Sequence, residues 1–430
     1  MFSFARPYFL CHFLGMQLIR NWKSFQAMLK TWVHKKYSKP VLFGVLFFVL
    51  HASWVILNAT SNQTVISRWN NLYRWDSEWY GSIVTNGYIS ENPPKKWDVK
   101  HSNVAYFPGY PISASLLRDV TGLQTIDATI LTAWIFTFAF WIMLFVGLQL
   151  AKPNSNALDY SLLGLVWIAF PTSFYMYAAY SESLFLCGLV LTWIGLFKKN
   201  HWILFLGVFV ASSTRVVGIS YVAGSLFCLL VGWLMKDVKG TFNWKIALAS
   251  LLGLSGVFAF FIFCQSRFDD WALYFTTQSI GWENQANLAA LIKEPSWIPK
   301  MSDIKTIFYP LDAIALSRLS VPFFSWVSLL GGCFCLWRVL KQKKDAVILS
   351  TIWFVGCAPF LGGVVGVYNS AFLGMIRYVL PAYLGLAIAF VFYRQSFRPW
   401  VYVLLSPVLI WSMYLGVLAI RTFTAWRWVA

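Results

Sequence analysis

The chain has 430 residues, of which 59% are hydrophobic and only 12% charged, and its mean hydropathy is +0.62. A soluble domain of this length carries about twice that charge, so the composition excludes an ordinary soluble enzyme and predicts an all-α, polytopic membrane protein with one integral domain. The formal net charge of +18 is set by sidedness, as the elements show, and is no nucleic-acid footprint.

Residues 1–39 are a basic segment with Arg6, Arg20, Lys23, Lys30, Lys35, Lys36 and Lys39 and no acid. Such a segment belongs in the cytoplasm and does not read as a cleavable signal peptide. The transmembrane domain is read as 40–430. At ~20 residues per span, its apolar runs predict about eleven helices. They lie near 40–58, 126–150, 157–177, 181–197, 201–214, 216–235, 245–264, 319–340, 345–366, 374–393 and 399–420. Alternation from a cytoplasmic N-terminus puts Lys198-Lys199, Lys236/Lys239/Lys245, Arg338/Lys341/Lys343/Lys344 and Arg394/Arg398 inside. The tally is roughly 19 basic and 3 acidic residues inside against roughly 15 and 13 outside, a positive-inside bias. The C-terminus falls outside, as do two long loops, 59–125 and 265–318. Residues 70–89 are expected to form an interfacial amphipathic helix with Trp75, Trp79 and Ile83 on one flank, and residues 269–292 a second. The cysteines (Cys11, Cys187, Cys228, Cys264, Cys333, Cys335 and Cys357) have neither metal nor disulfide spacing and read as inert core thiols. No internal repeat is present.

The unusual polar residues all fall on the outer side. Arg74-Trp75-Asp76-Ser77-Glu78-Trp79-Tyr80 and Tyr106-Phe107-Pro108-Gly109-Tyr110-Pro111 occupy the first outer loop. Tyr180-Ser181-Glu182-Ser183 and Ser212-Ser213-Thr214-Arg215 are tight outer joins. Arg377-Tyr378 opens the tenth span, and Arg421 and Trp426-Arg427-Trp428 lie near the end. Charges at membrane depth are expensive and are paired or functional, so their gathering on one leaflet predicts an outward-facing polar pocket. A carboxylate there can take a proton from a sugar hydroxyl. Arginines can hold a departing phosphate. Each residue also has a structural reading. Asp76 would cap a helix or pair with Arg74, Glu182 would complement a helix dipole, Arg215 and Arg377 would snorkel, and Glu78 and His101 would be solvated. Asn58-Ala59-Thr60 and Asn62-Gln63-Thr64 are outward-facing glycosylation sequons.

Several of these strings, in order from about residue 70 to the end, resemble the PIG-V (GPI mannosyltransferase 2) family. They are Arg74-Trp75-Asp76-Ser77-x-Trp79-Tyr80, Asn86-Gly87-Tyr88, Phe107-Pro108-x-Tyr110-Pro111 and Tyr180-Ser181-Glu182-Ser183-Leu184-Phe185. Ser212-x-Thr214-Arg215-x-x-Gly218, Arg377-Tyr378 and Trp428-Val429-Ala430 complete the set. The resemblance implies a GT-C-type fold with its site in outer loops. It implies transfer of mannose from a polyprenyl- or dolichyl-phosphate mannose, without a nucleotide donor. The family's loop carboxylate maps to Asp76 and its second acid to Glu182. The sequence departs from the family in a longer Pro-rich excursion at 91–98, in Gly109, and in Val216-Val217 after Arg215.

The resulting expectation is inverting transfer to a lipid-linked or glycolipid acceptor, with Asp76 as base and Arg215, Arg377 and Arg74 on the donor phosphate. Glu182, Glu78, Trp75, Trp79, Tyr80, Tyr106, Phe107, Tyr110 and Ser181 would line the acceptor or sugar pocket. No cofactor or metal is required, and a small membrane subunit is a candidate partner. The bacterial inner membrane is the expected location, or the endoplasmic reticulum with a luminal site in a eukaryote. The rival classes are a lipid or solute transporter of flippase type and a non-catalytic subunit that binds a lipid-linked glycan.

Overall fold

The computed structural model describes residues 37–60, 64–95, 102–235, 244–286, 313–366 and 375–425, apart from the side chains of 313–319 and 375. The basic segment up to residue 36, Asn62, His101 and the terminal Trp426-Arg427-Trp428-Val429-Ala430 lie outside the described residues. Regular structure among the described residues is helical, with one isolated antiparallel bridge, Ser90 to Ser102.

All eleven expected segments contain a helix. Among the described residues, eight stretches are long and apolar enough to cross a membrane: Ser38–Asn58, Thr125–Ala151, Val216–Leu234, Trp244–Phe268, Ser320–Leu340, Ala346–Gly366, Ile376–Ser396 and Pro399–Thr424. The protein is therefore a multi-pass membrane protein. The other three expected spans are shorter helices, Ala157–Ala169, Glu182–Lys198 and His201–Thr214. The first of these covers only about 20 Å at 1.5 Å per residue. It stops because Pro171 forces the preceding residue out of the helical region, and Phe170 is extended.

In chain order the helices are α1 (Ser38–Asn58), α2 (Val65–Asn70), α3 (Asp76–Asn86), α4 (Gly109–Thr121), α5 (Thr125–Ala151), α6 (Ala157–Ala169), α7 (Glu182–Lys198) and α8 (His201–Thr214). They continue with α9 (Ser220–Leu234), α10 (Trp244–Leu252), α11 (Ser255–Phe268), α12 (Leu273–Gly281), α13 (Ala313–Leu340), α14 (Ala346–Gly366), α15 (Val379–Tyr393) and α16 (Pro399–Thr424).

Two helix pairs position the site. The first is the α7–α8 hairpin. Lys199 closes α7 in the left-handed conformation, and Asn200 caps α8 by accepting from the Trp202 and Ile203 amides. The hairpin is close. A Cβ on Gly195 would meet the Leu204 amide nitrogen at 2.5 Å, and one on Gly207 the Thr192 amide nitrogen at 2.4 Å. Small residues let helix backbones approach in this way. The open end of the hairpin therefore sets the first residue of α7, Glu182, beside Arg215, which follows α8. The second pair is α14 with α15, in contact where Gly356 faces the Pro381 carbonyl. The short turn Met375–Tyr378 enters α15 and carries Arg377.

Charges of the opposite end form separate locks. Lys152, after α5, donates to Asp159 at 2.8 Å, and Arg394, after α15, also bonds Asp159. Arg338 and Tyr393 both bond Asp345. Among the described residues five cysteines are buried; Cys333 is exposed while Cys335 is buried, on different faces of α13 as their spacing predicts.

The loop helices correct one expectation. Residues 70–89 do contain a helix, α3, but its flank does not rest on the bilayer. Tyr80, Ile83 and Val84 are buried, and Trp79 stacks on Tyr106 at 5.6 Å between ring centroids. The chain that follows folds back over α3. Asn103 donates to the Gly87 carbonyl and accepts from the Ile89 amide. The outward apolar stripe belongs instead to α4, where Ile112, Leu116 and Val120 are exposed at helical spacing. The second expected loop helix is present as α12.

Candidate active site

Four charged side chains converge where α3, α7, the end of α8 and the turn before α15 meet. Arg377 Nη1 donates to Asp76 Oδ2 at 2.7 Å. Arg215 Nη1 donates to Glu182 Oε1 at 2.7 Å. The same Arg377 nitrogen lies 3.6 Å from Glu182 Oε1. All four are nearly buried; the Glu182 side chain is 2% exposed and the most exposed of them, Arg215, 14%. Two acids and two guanidiniums sum to zero charge.

Local structure aims Asp76. Trp75, which precedes it, has φ 56° and ψ −115°, a conformation that strains a non-glycine backbone. This sharp entry puts Asp76 in the first turn of α3, where an acid is favoured by the helix dipole. The Asp76 amide donates to the Tyr180 hydroxyl at 3.2 Å. The Tyr106 hydroxyl donates to Asp76 Oδ1 at 3.0 Å. Burial first, and the Asp76 charge second, hold the Tyr106 phenol well above its ordinary pKa, so Tyr106 keeps its proton and remains a donor.

Aromatic rings face both guanidiniums. Arg377 lies over Tyr180 at 5.2 Å and Tyr175 at 5.4 Å. Arg215 lies over Tyr378 at 4.7 Å and Phe185 at 5.9 Å. Cation–π contacts of this kind favour a charged guanidinium where water is scarce. Two polar atoms are nevertheless left over. Glu182 Oε2 and Arg377 Nε are buried without a hydrogen-bond partner. Both residues line a small recess with Arg215, Tyr378, Phe185 and Pro359. Native proteins leave few such groups, and this pair offers one acceptor and one donor to an incoming polar group.

The residues singled out in the sequence divide. Asp76, Glu182, Arg215, Arg377, Tyr106, Tyr80 and Ser181 come together, with the Tyr80 hydroxyl donating to Ser181 at 2.8 Å. Trp79 and Trp75 are half-buried at the edge of α3. Glu78 is exposed. Arg74 donates to the Asn71 side chain and the Tyr73 carbonyl of its own loop. Tyr110 is fully buried and donates to the Thr129 carbonyl at 2.6 Å, which makes it a brace. Phe107 packs with Phe260 and Tyr274 in a separate cluster. Arg421 sits in the last turn of α16, and its carbonyl accepts from the Thr60 hydroxyl.

Gly109 has a local reason. A Cβ there would lie 2.8 Å from the Ser213 carbonyl oxygen, so the start of α4 can approach the end of α8 only without a side chain. Tyr175 and Trp282 were not singled out by the sequence. Tyr175 sits in the run 174–177, read there as the end of a span. Trp282 follows α12 and packs on Trp79 at 5.3 Å and Tyr106 at 5.8 Å.

The sequence matches no protein-family model and no curated protein. Among solved structures, the chain is similar to the Archaeoglobus fulgidus oligosaccharyltransferase in its apo form, with a TM-score of 0.47 and 10% sequence identity. The match covers 93% of this chain and 57% of that one, so the chain spans little more than half the length of that protein.

Proposed function

We propose that the chain is a GT-C-type membrane glycosyltransferase, related to the PIG-V family, that moves mannose from a polyprenyl- or dolichyl-phosphate mannose to a glycolipid or lipid-linked acceptor. One observation carries the reading: a carboxylate oriented by a phenol shares a buried site with two guanidiniums, one of which keeps a buried N–H open to an acceptor. The motif strings that resemble the family supply all four charged members of that site. Asp76, Glu182, Arg215 and Arg377 lie between 33 and 301 residues apart in their contacts, yet they meet.

The chemistry is a single displacement. The acceptor hydroxyl gives its proton to Asp76, and its oxygen forms a bond to the anomeric carbon of the donor mannose. The bond from that carbon to the phosphate oxygen breaks, and the phosphate leaves with the electron pair. Attack opposite the leaving group inverts a β-linked donor into an α-mannoside. Arg215 and Arg377 stabilise the charge that gathers on the phosphate, in a poorly hydrated place where charge-assisted hydrogen bonds are strong. Tyr106 holds the Asp76 carboxylate in position. No step requires a cofactor.

The positive-inside bias supports a place for this end of the bundle outside the cytoplasm, in a bacterial inner membrane or on the luminal face of the endoplasmic reticulum. That side favours a lipid-phosphate donor, since nucleotide sugars are cytoplasmic. A transporter would want polar groups at the midplane, whereas the described ion pairs gather at the two ends of the bundle. The test is incubation of the purified protein with radiolabelled polyprenyl-phosphate mannose or nucleotide-linked mannose and candidate glycolipids. Label should pass to a glycolipid from the lipid-phosphate donor alone. Transfer from the nucleotide sugar alone contradicts the reading, and failure of the pure chain with either donor favours the non-catalytic subunit.

A further inference from the structure

Glu182 is the second acid of the site, and its geometry differs from that of a sugar-pocket residue. Its Oε1 is the point where both arginines meet, at 2.7 Å from Arg215 and 3.6 Å from Arg377. Asp76, by contrast, is paired with only one of the two arginines, Arg377. The two arginines would repel each other without an anion between them. Asp76 cannot be that anion throughout a reaction in which it receives a proton.

Charge counting sharpens the point. The resting site is neutral. A phosphodiester donor adds one negative charge. If its oxygens take up Arg377, the two guanidiniums are balanced by Glu182 and the phosphate together. Asp76 is then the excess anion, without its arginine. The donor thus releases Asp76 from its arginine in the complex where a base is needed.

We infer that Glu182 is a positioning residue: it holds Arg215 and Arg377 as a pair while Asp76 and the donor phosphate exchange on Arg377. This rests on the function proposed above. Glu182 touches neither the reacting hydroxyl nor the anomeric carbon; it acts through the arginines. Its second oxygen, Oε2, is buried and unpartnered, so the contact with Arg215 is made through one oxygen, and an amide in its place keeps that contact.

Glu182→Gln separates charge from geometry. The amide oxygen still accepts from Arg215, but the site gains one positive charge in every state. That charge favours the donor phosphate and disfavours transfer of a proton into the site. The groups facing Asp76 that stay unchanged are Arg377 from the turn before α15, Tyr175 and Tyr180 from the segment between α6 and α7, Tyr106 before α4, and Tyr80 on α3.

The experiment measures steady-state transfer against pH, together with direct titration of polyprenyl-phosphate mannose, for the full-length wild-type, Glu182→Gln and Glu182→Ala proteins. For Glu182→Gln we expect turnover to fall roughly tenfold, donor affinity to hold or tighten, and the acid limb of the turnover profile to move down by about one pH unit. Glu182→Ala, which frees both arginines, should weaken donor binding by roughly tenfold or more. Should the Ala variant not fold, the Gln readouts decide alone. A Gln variant with weakened donor or acceptor binding and an unmoved acid limb would return Glu182 to the sugar pocket and overturn the inference. A Gln variant with wild-type turnover and pH profile would also overturn it. In both cases an active wild type leaves the proposed function standing; a wild type that neither binds the donor nor transfers removes both.

Discussion

Asp76 and Arg377 stand 301 residues apart and meet at 2.7 Å, which ties the first loop helix to the entrance of α15. The pair is buried on both sides. Removing one partner of such a pair strands the other charge, at a cost of about 3–5 kcal/mol. Each substitution below is therefore read beside a thermal melt.

The arginines carry the donor claim. Lysine keeps a charge but loses the planar fork that grips a phosphate in two places. Arg377→Lys and Arg215→Lys should raise the Michaelis constant for the lipid-phosphate donor and lower turnover, while the Ala variants nearly abolish donor binding. Acceptor affinity should change little. A stable Ala variant with normal donor affinity, measured by titration, would leave that arginine a structural cation.

Tyr106 tunes the base. Its hydroxyl donates to the ionised form of Asp76, and a hydrogen bond to the charged form favours that form. In Tyr106→Phe the carboxylate loses that hydrogen bond. The acid limb of the turnover profile should move up, opposite in sign to Glu182→Gln, and the rate at neutral pH should fall severalfold. A profile that does not move would show that Tyr106 only fills space.

The hairpin carries the geometry. A Cβ on Gly207 would stand 2.4 Å from a backbone nitrogen of α7, and backbone cannot step aside. Gly207→Ala should lower stability by about 1–3 kcal/mol. Because it pries apart the helices that bear Glu182 and Arg215, it should weaken donor binding as well, although it touches no substrate. Calorimetry with donor titration checks both; full stability and full donor affinity together would show that the helices have slack.

Sidedness is testable at two exposed positions, Glu78 and Lys199. In right-side-out vesicles, and in a background without reactive thiols, an impermeant reagent should label a cysteine at 78 and spare one at 199. Labelling at 199 alone would invert the topology and, with it, the reason for a lipid-phosphate donor.

Much of this architecture is legible in the sequence because hydropathy and charge are local. The eleven apolar runs each produced a helix, and the strings around Asp76, Glu182, Arg215 and Arg377 each marked a helix end. What the sequence does not carry is which way a loop side chain turns. Ile83 and Trp79 have the spacing of an interfacial flank, yet the segment at 102–110 folds over α3 and takes that flank into the protein. Phe107 and Tyr110 lie in the same short string as Tyr106, but only Tyr106 reaches Asp76. The strained entry at Trp75 leaves no mark in composition either. Gly109 is explained only by the Ser213 carbonyl pressed against it.

Whether Asp76 accepts the acceptor's proton is decided by the turnover of Asp76→Asn. With purified protein, saturating polyprenyl-phosphate mannose and a glycolipid that the wild type mannosylates, the Asn variant should keep its fold and lose about 100-fold or more in turnover, while Glu78→Gln stays near the wild type. A folded Asp76→Asn protein that transfers mannose at a near-normal rate would contradict the mechanism.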